Sequence, residues 1–248
     1  LDGKNHSTAG GIIMPKRELT EEQKKADVDL YIIIILTVLA LAVYLGFQDW
    51  FVTFAKNVEV HILLRTLVMA LMQFGVAGLG ISAVMLLRKE SFKNYGLKAK
   101  GTLKSIILSV PLFVPAFLFT VFTGEYHGYF PFQEVWMTRD VLASGFPISV
   151  AGMALIVLAW GFFEGFNYVV ISEKINTRYP SKNRWLNWGA IICAIMCILI
   201  HGVIGVTPES IIEAVTVFII IYGMLAVKEF TGNAWGVVFL FVFLWNAF

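Results

Sequence analysis

Charge is scarce in this sequence. Only 15% of its 248 residues are Asp, Glu, Lys or Arg, where an ordinary soluble domain carries about a quarter. A soluble multidomain protein is excluded on that ground. The net charge of +2 is also too small to point to a nucleic-acid partner. Cysteine is nearly absent. The two present, Cys193 and Cys197, stand four apart in one apolar run, where a helix gives them no easy bridge. They are therefore no sign of an oxidising compartment. What fills the space is hydrophobic residue, 58% of the chain, gathered into long runs rather than spread at amphipathic spacing. One membrane-embedded domain is the natural reading.

Crossing about 30 Å of hydrocarbon takes roughly 20 apolar residues in a helix. The runs predict an all-α bundle of about seven spans near 30–48, 61–87, 103–122, 143–172, 186–205, 209–227 and 231–248. Pro111 and Pro115 should kink the third. The fourth is too long to be straight and upright; it tilts, breaks near Pro147 or continues towards Arg178. Residues 1–29 are polar and read as a cytoplasmic segment, with a capping-box pattern at Thr20–Gln23. Thr207, Pro208 and Glu209 announce the start of the sixth span.

The basic residues are one-sided. Lys24 and Lys25 precede the first run; Arg88, Lys89, Lys93, Lys98 and Lys100 follow the second; Lys174, Arg178, Lys182 and Arg184 follow the fourth. The opposite loops hold Lys56 and Arg139. By the positive-inside rule the N-terminus is cytoplasmic, in a plasma or cytoplasmic membrane. Trp50, Trp136, Trp185 and Trp188 fall at the boundaries of the runs, where amphipathic rings belong.

Ionisable groups within spans are expensive, so each is a functional candidate. Arg65, Glu164, His201 and Glu213 qualify, with Asn167 and Asn246 as uncharged companions. Glu164 leads. It lies in Trp160-Gly-Phe-Phe-Glu164-Gly-Phe-Asn167-Tyr168, and Asn167 and Tyr168 share its face at i+3 and i+4. Placed there, it could serve as a general base or hold helices together, with Arg65 as a possible partner. Gly161 and Gly165 form a small-xxx-small pair that admits a neighbouring helix. Cys193, Cys197 and His201 make one stripe, but ligands spread over two helical turns rarely converge on one ion, so no metal is read here. No cofactor is indicated. Glu164, His201 and Asn246 fall at roughly 21, 25 and 27 Å from the basic ends of their runs, at 1.5 Å per residue. If their helices are neighbours, the three meet in one polar pocket.

These residues resemble the CAAX protease and bacteriocin-processing family of intramembrane proteases. The family has a Glu-Glu-x-x-x-Arg motif, then Phe-x-x-x-His, then His-x-x-x-Asn, each on its own helix. The chain offers Phe163-Glu164-Gly165-Phe166-Asn167-Tyr168, then Cys197-Ile-Leu-Ile-His201, then Val242-Phe-Leu-Trp-Asn246. Thr231-Gly232-Asn233-Ala234-Trp235 and Ser91-Phe92-Lys93-Asn94-Tyr95-Gly96-Leu97 are similar to family segments too, so the likeness covers roughly 90–248. The departures are Gly165 for the second Glu, Val169 (or Tyr168) for the Arg, and Val242 for the last His.

The resemblance implies that Glu164 would activate water while His201 and Asn246 stabilise an oxyanion. The departures imply instead an inactive or altered relative, a membrane-complex subunit or binding protein. Its pocket would take membrane lipid, a lipidated peptide or another membrane protein. An intramembrane endopeptidase is the first alternative. A small transporter lined by Arg65, Glu164 and Glu213 is the second.

Overall fold

The structure is a computed structural model describing residues 18–200, 202 and 207–248, so His201 and most of the polar segment before the first run lie outside the described residues. The described chain is helical throughout, with no strand among the described residues. Four helical stretches are long and apolar enough to cross a membrane: Glu21–Gly46, Thr102–Thr123, Ile148–Arg178 and Pro208–Thr231. A fifth is gained if the bent pair Ile62–Ala77 and Leu79–Arg88 counts as one span. The chain is an integral, helical membrane protein.

Helix α1, Glu21–Gly46, opens on the expected capping box: Gln23 N–H donates to Thr20 Oγ1 at 3.2 Å and Thr20 N–H to Gln23 Oε1 at 3.0 Å. It runs unbroken from the polar residues into the first apolar run. The short α2, Gln48–Lys56, buries Phe51 and Ala55 and stacks Trp50 on Phe54. The second run divides at Gly78 into α3, Ile62–Ala77, and α4, Leu79–Arg88, bent by 59°. Next to the bend, a Cβ on Gly80 would lie 2.9 Å from Ile33 Cα, so α1 and α4 meet backbone to backbone. The third run is broken as its prolines require. Helix α5, Thr102–Ser109, passes through a 3₁₀ turn at Val110–Phe113 into α6, Val114–Thr123.

After α6 the segment 124–137 turns back against the bundle, and α7, Thr138–Ala143, follows it. Helix α8, Ile148–Ile156, begins directly after Pro147 and leads through a seven-residue π-helix, Val157–Phe163, into α9, Glu164–Arg178. Of the expected alternatives for this long run two are adopted, a break at Pro147 between α7 and α8 and continuation to Arg178. Helices α10, Trp188–Ile200, α11, Pro208–Thr231, and α12, Trp235–Phe243, complete the order. Thr207 caps α11 as read, its hydroxyl accepting from Ser210 N–H at 3.2 Å.

Among the described residues, the runs at 186–205 and 231–248 give helices shorter than a full crossing. Helix α10 has 13 residues, about 20 Å, and α12 has nine, about 14 Å, at 1.5 Å per residue. The physical reason for the second is visible at the chain's end. Past Phe243 the backbone leaves the helix, and its carbonyls are used by the inward-turned segment: Gln133 N–H donates to Asn246 O at 2.7 Å and Phe130 N–H to Ala247 O at 3.0 Å.

The two ends of the bundle are closed by different chemistry. At one end Asp29, 2% exposed, receives Arg88 Nε at 2.8 Å and Lys174 Nζ at 2.9 Å. Lys174 also meets Glu90 at 3.0 Å, and Tyr95 hydroxyl donates to Glu90. Burial, with that bond second, pushes the Tyr95 phenol well above its ordinary pKa, so it stays a donor. Arg178 pairs with Asp27 at 2.6 Å, and Lys228 with Glu173. The N-terminal end of α1 is thereby tied to the C-terminal ends of α4 and α9, and α9 to α11. The other end packs Phe51, Ile62, Met69, Phe132, Met137 and Val141 into an apolar cluster.

Candidate functional site

The site begins with a helix that widens. In a π-helix each N–H reaches back five residues, so every such turn holds an extra residue and the ladder is locally underwound; these segments are rare and concentrate at functional sites. Here the π-helix ends at Phe163, and the next residue is Glu164. Its carboxylate Oε2 accepts a hydrogen bond from Gln73 Nε2 of α3 at 2.9 Å. Phe163 and Phe74, the residues beside this pair, meet edge to face at 4.8 Å. The two helices are therefore held in register by one polar bond flanked by an aromatic contact.

The glycine pair sits on the other side of the same turns. A Cβ at Gly161 would lie 2.7 Å from Val242 Cγ2, and one at Gly165 would lie 2.9 Å from Phe241. These glycines let α12 press against Glu164's helix, as the small-xxx-small spacing predicted.

Beyond Glu164 the helices part around a cavity of about 1400 Å³. Glu164, Asn167 and Tyr168 line it from α9, Gln73 from α3, and Asn246 from the chain's end. Glu213 lines it from the second turn of α11, with its side chain exposed. Asn246 reaches it from non-helical backbone, since α12 has already ended. Its side-chain nitrogen is buried and has no hydrogen-bond partner among the described residues. Thus Glu164, Asn167, Tyr168, Glu213 and Asn246 share one chamber.

Arg65 does not belong with them. It is 6% exposed, donates to Val60 O at 3.1 Å and Ala55 O at 3.0 Å, and pairs with Asp140 at 3.4 Å. Its work is to pin the α2–α3 loop and α7, so the expected Arg65–Glu164 partnership is replaced by Gln73–Glu164. His201 lies outside the described residues. Cys193 and Cys197 are free thiols wholly buried between helices, Cys193 donating to Tyr168 O at 3.6 Å. No group of three His, Cys, Asp or Glu among the described residues is placed to hold a metal ion.

Sequence reasoning missed contributors of two kinds. Gln73 is an uncharged amide and escapes a search for ionisable groups, although Leu71-Met72-Gln73-Phe74 is an apolar setting that could have flagged it. Glu125, His127, Gln133, Glu134 and Glu209 also line the chamber, from loop positions and a helix start that carry no hydropathy signal.

No protein-family model, curated protein or solved structure matches the chain. The chamber is therefore interpreted from its own geometry.

Proposed function

We propose that this chain is a non-proteolytic membrane protein related to the CAAX-type intramembrane proteases, binding a membrane-borne ligand in its chamber and serving as a binding protein or subunit of a membrane complex. The proposal places the N-terminus in the cytoplasm of a plasma or cytoplasmic membrane. In it α10 and α12, extended by their flanking residues, complete about seven crossings.

One observation carries the reading. The three positions that depart from the protease pattern are all engaged in helix packing. Gly165 abuts Phe241, Val169 is fully buried, and Val242 lies against Gly161. With Glu164 as the first Glu of the motif, none of the three lines the chamber, whereas in the other register the Arg position is Tyr168, which does. A second Glu at Gly165 would meet Phe241 of α12. A peptidase site needs base, water and oxyanion donors acting together, and the chain carries Gly165, Val169 (or Tyr168) and Val242 at three of the pattern's positions. What is left is a large half-polar chamber beside lipid-facing helices, suited to binding.

The endopeptidase reading keeps one observation in its favour: Glu164 and Asn246 share the chamber. Purification in mild detergent, followed by analysis of co-purifying lipids and proteins and assay against prenylated and unmodified peptides, separates the two. The binding reading expects a retained ligand or partner and no cleavage. Robust cleavage that is lost in Glu164→Gln but intact in the Cys193→Ala, Cys197→Ala double variant would overturn it.

A further inference from the structure

We infer that the ligand of this chamber is a cationic amphiphile, the chemistry of an acylated basic peptide. The inference rests on the chamber being a binding site, and it adds the charge and polarity of what binds.

Charge is the first ground. The chamber is lined by Glu125, Glu134, Glu164, Glu209 and Glu213, with His127 beside them, and by no Lys or Arg among the described residues. This is unusual in a chain with slightly more basic than acidic residues, 19 against 17. The cations on the same end of the bundle do not line it and have other partners. Arg65 is bonded to Asp140 and two carbonyls, Arg139 stands over the ring of Phe130 at 4.8 Å, and Lys56 over the ring of Trp136, a wall residue, at 5.3 Å. The four edge carboxylates come from three separate places: Glu125 after α6, Glu134 in the inward-turned segment, Glu209 and Glu213 one turn apart on α11. A cleft lined by one sign of charge with low-dielectric walls focuses its field and concentrates the opposite sign.

A further feature points to a ligand rather than to a charged surface. The lumen is as apolar as it is acidic, with Met69, Met72, Phe113, Phe119, Val217 and Ile220 along its walls. An inorganic cation has no use for such walls, whereas an acyl chain does. Ammonium groups at the carboxylate edge and an acyl chain along the apolar wall together describe one amphiphile.

The test uses the full chain in nanodiscs of neutral phosphatidylcholine, which removes attraction between a cationic probe and anionic lipid. Three fluorescent probes share a palmitoyl chain and differ in headgroup: Lys-Lys amide, Gly-Gly amide and Glu-Glu amide. The Lys-Lys probe is expected to bind at least about tenfold tighter than the Gly-Gly probe, with Glu-Glu weakest, a difference of about 1.4 kcal/mol or more. The variant Glu125→Gln, Glu134→Gln, Glu209→Gln, Glu213→Gln changes only exposed positions. It should bring Lys-Lys and Gly-Gly to within about twofold while leaving Gly-Gly affinity unchanged, which also shows that it folds. Equal binding of all three probes, or preference for Glu-Glu, overturns the cationic inference and leaves the chamber a binding site. Binding of none of them overturns both.

Discussion

At the scale of single residues, the bond between Gln73 and Glu164 decides how the chamber wall responds to mutation. Glu164→Gln keeps a carbonyl oxygen that can still accept from Gln73 Nε2. Glu164→Leu removes the acceptor and strands a part-buried amide, which costs about 1–3 kcal/mol. Thermal unfolding in detergent should therefore separate the two, with Leu clearly lower and Gln close to the parent. Equal losses would mean that the carboxylate's charge, not the hydrogen bond, matters there. A second contrast lies at the ion-pair end. Lys174→Met leaves Asp29, 2% exposed, with Arg88 alone and Glu90 with only Tyr95, and breaking a buried pair from one side costs about 3 kcal/mol or more. Lys24→Met, in the exposed pair with Glu21, should change nothing measurable. If the two substitutions shift the melting temperature alike, the network contributes no more than a surface pair. Glu164 was legible in the sequence because a carboxylate among aromatics breaks the hydropathy pattern. Asp29 and Lys174 were not. Each sits at the polar end of its run, where hydropathy reads solvent, and only the meeting of α1 with α9 buries them.

At the scale of helices, the glycines separate what spacing can predict from what it cannot. Gly161 and Gly165 were readable as a contact face, and the face meets α12. The partner itself was not readable, since every neighbouring run is equally apolar. The same holds for Thr231–Trp235 and Ser91–Leu97. Both segments stood out in the sequence, and nothing in either says that Ala234 N–H donates to Gly96 O at 2.9 Å or that Asn233 Nδ2 reaches Lys98 O at 2.7 Å. The π-helix was invisible altogether, because its residues are as apolar as those of an α-helix. Close approach gives a sharp prediction. Gly165→Ala puts a methyl 2.9 Å from the ring of Phe241, overpacking that typically costs about 1–3 kcal/mol. Gly46→Ala at the end of α1 has nothing within 4 Å, and helix propensity favours Ala by up to about 1 kcal/mol. Opposite signs are expected in paired melts of the two variants. A neutral Gly165→Ala would show that α12 can move away from α9 at little cost.

At the scale of the whole molecule, hydropathy located the long helices but not the point where α12 stops, because it cannot register a helix that ends early. Helix α12 begins beside α5, where Ser105 Oγ accepts from Gly236 N–H, and the chain's last residues pair with the segment that follows α6. A nine-residue helix plus its tail thus joins the two ends of the α5–α6 stretch, with the segment 128–134 coming inward to meet it. The proposed orientation rests on charge. The loop 89–101 and the loop 179–187 belong to the ion-paired end and carry Lys89, Lys93, Lys98, Lys100, Lys182 and Arg184, which the positive-inside rule favours on the cytoplasmic side. Single cysteines at Lys98 and Lys182, both exposed, test this in intact cells. The native thiols need not be removed first, since Cys193 and Cys197 are buried and should give little background. A membrane-impermeant maleimide added from outside should label neither position until the membrane is opened, while a cysteine at exposed Glu134 should label at once. Labelling of Lys98→Cys or Lys182→Cys in sealed cells would invert the orientation and turn the acidic chamber edge towards the cytoplasm.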